Sequence, residues 1–167
     1  MVVDREQNES RPFGAGGREP ARSPAPLILE FPVRGMDFVS AGDAAAKVKK
    51  TLIQVGMPDG VVRRAAIATY EAEMNIVIHA REGAIKASIT SDQVEIVATD
   101  VGPGITDISL AMQEGYSTAP PHIREMGFGA GMGLPNIKRC ADELDIQSEV
   151  GKGTQVRIII KRSGEGQ

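Results

Sequence analysis

Tryptophan is missing from this 167-residue sequence, and aromatic residues make up only 4% of it. Modules that bind single-stranded nucleic acid by stacking bases on rings draw on a richer supply. An excess of positive charge is missing as well. Nineteen Lys and Arg stand against 22 Asp and Glu, for a net charge of −3 and a pI of about 5.5, which argues against binding to a phosphate backbone. Cysteine occurs once, at Cys140, so no internal disulfide can form and a reducing compartment suits the chain. No apolar run approaches the roughly 20 residues that span a bilayer, and the N-terminus lacks the apolar core of a signal peptide. These absences predict a soluble, cytoplasmic protein with neither nucleic acid nor membrane as a partner. The remainder is ordinary: 41% hydrophobic and 25% charged residues suffice for one globular core.

Residues 1–26 are rich in Gly, Pro, Arg and Ser and nearly free of large apolar side chains. Such a stretch cannot bury enough surface to offset its ordering entropy, so a disordered tail is expected. The tract Gly14–Gly17 falls within it and reads as linker. A folded domain is expected over 27–162, and a second short disordered tail over 163–167. Leu27–Val33 reads as a strand, placed at a sheet edge by Pro32. Ser40 is a candidate N-cap for a helix over 41–55 that Gly56 ends. Pro58 sits where a first helical turn tolerates it, ahead of a long helix over 60–80. Alternating apolar residues then predict a hairpin, Ile85–Thr90 followed by Val94–Asp100. A short helix is expected over 107–113, a long flexible loop over 115–131, a helix over 132–144, and a closing hairpin over 145–162. No internal repeat is visible. This order points to an α+β sandwich, with one sheet covered on one face by helices.

Three segments carry chemistry. On the long helix, Glu71 and Asn75 fall roughly 40° apart around the axis, in the same arc as Arg64, Ile67, Met74 and Ile78. A carboxylate and an amide in a largely apolar arc suit the holding of a hydrated metal and a reacting hydroxyl; the plainer reading is a pair bonded to nearby backbone. At the end of the second hairpin strand, Asp100-Val101-Gly102-Pro103-Gly104 makes a tight loop whose carboxylate can accept a hydrogen bond from an exocyclic amine; the alternative is an ordinary Asp-Gly turn. Finally, Gly127, Gly129, Gly131 and Gly133 recur at every second position and run through Leu134 into a helix that carries Asn136 and Lys138. Four such glycines cost backbone entropy, and a glycine loop feeding a helix N-terminus offers free N–H groups to an anion. The spacing is neither G-x-G-x-x-G nor a Walker A motif, and Gly151-Lys152-Gly153-Thr154 joins two strands as a hairpin turn would.

Taken in order, these motifs resemble the GHKL (Bergerat-fold) ATPase superfamily, which includes DNA gyrase, heat-shock chaperone ATPases, mismatch-repair ATPases and histidine kinases. The short length and the wording of the motifs are most similar to the anti-sigma regulatory serine/threonine kinases. Residues 105–117 followed by 131–154 are especially similar to their stressosome-type switch kinases. The resemblance covers about residues 27–162. It implies a Bergerat-type α/β sandwich with one mixed, mostly antiparallel sheet, and ATP with Mg²⁺ as cofactors. Asn75 would ligate Mg²⁺, Glu71 would be the catalytic base, and Asp100 would read the adenine amine. Gly102 and Gly104 would close around the base, the second glycine box from Gly127 to Gly133 with Leu134 would meet the phosphates, and Thr154 would support the adenine. The loop 118–128, with Pro120-Pro121-His122, corresponds to the ATP lid and is longer than in close relatives. Arg124 reads as a solvated lid residue, His122 as lid surface, His79 as a core or hydrogen-bonded histidine, and Cys140 as buried packing.

The function implied is an ATP-dependent protein kinase that phosphorylates a Ser or Thr on a small antagonist protein, an anti-anti-sigma, STAS-like partner. A sigma factor or a phosphatase is a further implied partner, and a homodimer stays open with no interface patch legible. Two alternatives stand beside it: a binding module that holds a sigma factor or activates a phosphatase without catalysis, and an orphan histidine-kinase-type ATPase domain acting on another chain.

Overall fold

A computed structural model describes residues 23–163. The expected tails therefore lie mostly outside the described residues. Positions 23–26 are exposed and carry no secondary structure.

The chain runs β1 (Leu27–Arg34), α1 (Asp43–Gln54), α2 (Asp59–His79), β2 (Glu82–Ile89), β3 (Gln93–Val101), α3 (Ile108–Ala111), α4 (Pro121–Glu125), α5 (Gly133–Cys140), β4 (Glu143–Glu149) and β5 (Gly153–Lys161). The strands form one sheet in the order β1-β2-β3-β5-β4. All four pairings are antiparallel, so the mixed character allowed by the sequence resolves into a wholly antiparallel sheet. β1 lies at the edge, as Pro32 requires, because a residue without an N–H can be accommodated where one side of the strand has no partner.

One face of the sheet is apolar. Val33, Ile85, Ala87, Ile89, Val94, Ile96, Ala98, Val156, Ile158 and Ile160 are all buried there and pack with Val48 and Leu52 of α1, Ala65, Ala68, Ala72 and Ile76 of α2, and Ile137 of α5. Each large aliphatic side chain removed from water contributes about 1.5–3 kcal/mol. The opposite face bears charge, including the Arg157–Glu95 ion pair at 2.9 Å across β5 and β3. The three long helices thus cover a single face, and α2, buried at ten of its positions, is the central one.

Several expected boundaries move for local reasons. Ser40 does not cap α1. Gly42 occupies the N-cap in the left-handed region with φ 97°, and no side chain of its own caps it. Glu73, buried on α2, supplies the acceptors instead: Oε1 and Oε2 receive the N–H groups of Ala44 and Ala45 at 3.3 and 3.2 Å. Pro58 is the N-cap of α2 rather than part of its first turn. The helix expected over 132–144 stops at Cys140, and Leu144 belongs to β4 opposite Ile158. Asp142 accounts for the early stop: its Oδ2 accepts the Lys161 N–H at 2.6 Å and faces Arg64 at 3.1 Å, which commits the chain to the sheet. The region 115–131, expected to be one long flexible loop, contains α4, whose Ile123 is fully buried, and the equally enclosed Ala119.

Candidate nucleotide site

The arc of α2 that carries Glu71 and Asn75 does not face the sheet. Ile67 is exposed, and Arg64 turns away to bond Cys140 O at 3.2 Å and Lys161 O at 3.2 Å besides Asp142. Glu71, Met74, Asn75, Ile78 and His79 instead form one wall of a cavity of about 380 Å³. Glu71 and Glu73, two residues apart and so on different sides of the helix, have separate tasks. Glu73 is spent on the start of α1. Glu71 borders the cavity, half-buried, and its Oε1 accepts the Asn136 side-chain N–H at 2.8 Å. His79, read from the sequence as a core or hydrogen-bonded residue, stands exposed on the cavity rim. Desolvation by the protein around its ring lowers its pKa below the usual value.

The second wall is the loop that follows β3. Burial raises the Asp100 pKa above the ordinary carboxylate value, and the Thr154 N–H, donated to Oδ1 at 3.1 Å, partly opposes the shift. Among the described residues no donor reaches Oδ2. Gly153, in the turn of the last hairpin, decides this contact. A Cβ there would collide with the Asp100 carbonyl oxygen, so only glycine lets β5 come this close to the end of β3. The Thr154 hydroxyl lies 2.9 Å from Ser148 Oγ, which also receives the Ile105 N–H at 2.8 Å. Ser148 therefore stitches β4, β5 and the loop together. The local signal for it was absent, because a lone Ser in an alternating strand carries no motif. Gly104 lines the cavity and packs with φ +72° against the backbone of Glu149 and Val150. Gly102 does not line it. It packs against Ala80 and bonds the Lys152 carbonyl through its N–H, so its place is structural.

Gly127, Gly129, Gly131 and Gly133 all reach the cavity, as does Leu134, whose side chain is otherwise buried in the core. Gly131, at φ +78°, is pressed against the lid base: a Cβ would lie 2.5 Å from Gly115 C and 2.6 Å from Tyr116 O. The Gly115 N–H donates to the Gly131 carbonyl at 2.9 Å. Gly133 abuts the α2 wall, where a Cβ would stand 3.1 Å from Asn75 Oδ1 and 3.5 Å from Glu71 Oε2. The lid is held further out by the Phe38 and Phe128 rings, whose centroids are 5.0 Å apart. Arg124, read as solvated, donates Nε–H to Ala119 O at 2.9 Å and so fastens α4 to its own loop. His122 is exposed and Cys140 is buried, both as expected; burial also pushes the Cys140 thiol pKa up.

The residues present fit a magnesium nucleotide. At the start of α5 no side chain caps the helix, and the Gly133 and Leu134 N–H groups make no bond to a described residue. Together with the helix dipole they form a site for anionic oxygens, directly beside Asn75. Among the described residues no three His, Cys, Asp or Glu side chains cluster to hold a metal alone. Mg²⁺ bound with phosphate needs only one or two protein oxygens besides water, which Asn75 with Glu71 nearby can offer. At the other end, the half-buried Asp100 carboxylate, with Oδ2 free, can accept a hydrogen bond from an amine.

Residues 60–164 match the family described as histidine kinase-, DNA gyrase B-, and HSP90-like ATPase. The serine/threonine-protein kinase RsbT of Bacillus subtilis (strain 168) is 36% identical over 129 residues, covering 74% of this chain and 87% of that protein. An anti-sigma F factor of Thermoanaerobacter sp. (strain X514) is 38% identical over 96 residues, covering 54% of this chain and 64% of that protein. One from Clostridium beijerinckii is 37% identical over 97 residues with the same coverage. This chain thus spans just under two thirds of the anti-sigma F factors. The chain belongs to the histidine kinase-, DNA gyrase B- and HSP90-like ATPase family. No helix among the described residues is long and apolar enough to cross a membrane.

Proposed function

We propose that this protein is an ATP-binding anti-sigma regulatory serine/threonine kinase that phosphorylates a small antagonist protein in a bacterial partner-switching pathway. The observation that carries the reading is the convergence of Glu71, Asn75, Asp100, Gly104, the four glycines Gly127, Gly129, Gly131 and Gly133, Leu134 and Thr154 on one cavity. Likeness to a serine/threonine-protein kinase over most of its length supports the choice among ATPases.

Asp100 receives the adenine amine, held in place by the Thr154 N–H. The uncapped amides at the start of α5 cradle the phosphates, and the lid from 118 to 128 closes over them. Bound Mg·ATP supplies the transferable phosphoryl group and a cation that spreads its charge. Asn75 offers the amide oxygen to that cation. Glu71, in the cavity wall, orients the acceptor hydroxyl and takes its proton. Gly102 leaves the ligand-binding set and joins the scaffold. The anti-sigma names of the shorter matches support a second role for the same surface, holding a sigma factor while nucleotide is bound.

Transfer of labelled phosphate from Mg·ATP to a purified antagonist tests the reading. Wild type should transfer. Glu71→Ala should lower the rate by about 10²–10⁴-fold while Mg·ATP still binds. Transfer undiminished in Glu71→Ala removes the assigned base, and no transfer to any candidate antagonist removes the kinase.

A further inference from the structure

Glu71 has a partner that none of the sequence motifs assigns. Asn136 lies on α5, one turn into the helix that follows the glycine loop. Its Nδ2–H donates to Glu71 Oε1 at 2.8 Å. A side-chain amide can flip, and the flipped form would set its carbonyl oxygen against the carboxylate. Here the orientation is fixed from the other side, because Arg139 Nη1 donates to Asn136 Oδ1 at 3.0 Å. An arginine has only donors, so Oδ1 must face Arg139 and Nδ2 must face Glu71. Arg139 is in turn paired with Glu114 at the base of the lid, next to Gly115, whose N–H holds the Gly131 carbonyl. A continuous row, Glu114–Arg139–Asn136–Glu71, thus runs from the lid base to the cavity wall.

We propose that Asn136 is a positioning residue for Glu71: its amide, locked by Arg139, fixes the carboxylate rotamer so that Oε1 is occupied and Oε2 remains free for the acceptor hydroxyl. The inference rests on the kinase reading of Glu71. The geometry supports the division of labour, since Oε2 is the oxygen beside Gly133 and the uncapped start of α5, where a Cβ would stand 3.5 Å from it. A side chain that only braced two helices would not need its acceptor end held by a cation. The exposed pair with Glu114 carries the row on to the base of the lid.

Asn136→Asp gives a sharp test, because it keeps size and the acceptor toward Arg139 but replaces the donor toward Glu71 with a carboxylate oxygen that repels it. In the full chain it should retain the wild-type melting temperature to within a few degrees and leave KM for ATP roughly unchanged. It should lower kcat for Mg·ATP turnover by about 10- to 100-fold, the scale of a misplaced catalytic group. In a Glu71→Ala background the same substitution should cause no further loss, since two residues acting as one unit are not additive. Full kcat in Asn136→Asp, or an additive loss on top of Glu71→Ala, overturns the proposal. A second readout is independent of turnover: the Asn136 side-chain amide resonances, assigned by their disappearance in Asn136→Ala, should move in Glu71→Ala. If they stay where they are, the contact does not exist in solution and the proposal falls. A wild type that binds Mg·ATP but never turns it over sinks the kinase reading instead, and the amide signal alone then decides whether Asn136 holds Glu71.

Discussion

The Thr154 N–H donates to Asp100 Oδ1 at 3.1 Å, and this bond joins the final hairpin to the end of β3. It holds a carboxylate that its surroundings disfavour. Burial raises the Asp100 pKa above 3.8, so in the window just above that value the folded protein binds a proton more readily than the unfolded chain. Stability is then reduced as pH rises through the folded pKa and restored as pH falls. Asp100→Asn keeps an acceptor for Thr154 and removes the charge. Its melting temperature at pH 7 should equal or exceed that of wild type, and the gap should close on acidification. A lower melting temperature at pH 7 would contradict this.

Glu73→Ala separates structure from chemistry on α2. It leaves two buried N–H groups at the start of α1 without acceptors, which costs about 1–3 kcal/mol. Denaturant unfolding should show that loss, with calorimetric Mg·ATP affinity close to wild type. Unchanged stability would mean that α1 is capped by other means.

Asp142 responds to pH in the opposite sense from Asp100. Burial pushes its pKa up, but the Lys161 N–H and the Arg64 guanidinium outweigh this and bring it below 3.8. The stability it contributes is fully present above pH 3.8 and lost as pH falls through the folded pKa. Asp142 is exposed, so Asp142→Asn should lose no more than about 1 kcal/mol at pH 7, the scale of a solvent-screened ion pair, and its deficit should shrink in acid. A deficit that does not change with pH would show that the charge contributes nothing.

Two lid glycines should behave differently. At Gly127, with φ +91°, a Cβ meets nothing within 4 Å, so Gly127→Ala carries only the left-handed strain of about 1–2 kcal/mol. At Gly131 the methyl would drive into the backbone of Gly115 and Tyr116, so Gly131→Ala must also displace the lid base. Mg·ATP affinity should fall at least tenfold more in Gly131→Ala than in Gly127→Ala. Equal effects would mean the lid base is not part of the site.

Much of this site could be read in the sequence because its residues sit in compact motifs. Asp100 follows an alternating strand, the glycines recur at every second position, and Glu71 and Asn75 are one helical turn apart. Contacts that depend on distant segments left no such trace. Glu73, 28 and 29 residues from the amides it caps, looks like any acidic helix residue. Asn136 is 65 residues from Glu71, and Gly153 acquires its meaning only because β5 lies beside β3 in the sheet. Helical periodicity alone placed Ile67 and Arg64 in the same arc as Glu71, but could not say where the sheet ends and the cavity begins. The helix expected to reach Leu144 stopped at Cys140 because Asp142 bonds Lys161 and Arg64, a tertiary contact that outweighs local propensity. Regularity predicted 115–131 as an open loop, yet Ala119 and Ile123 give it a small core of its own.

Titration of Mg·ATP into wild type and Asp100→Asn by calorimetry tests the central claim most directly. Wild type should bind at a single site, and binding by Asp100→Asn should be weakened beyond detection while the variant remains folded. No binding by wild type, or equal binding by both forms, would show that this cavity is not where the nucleotide is read.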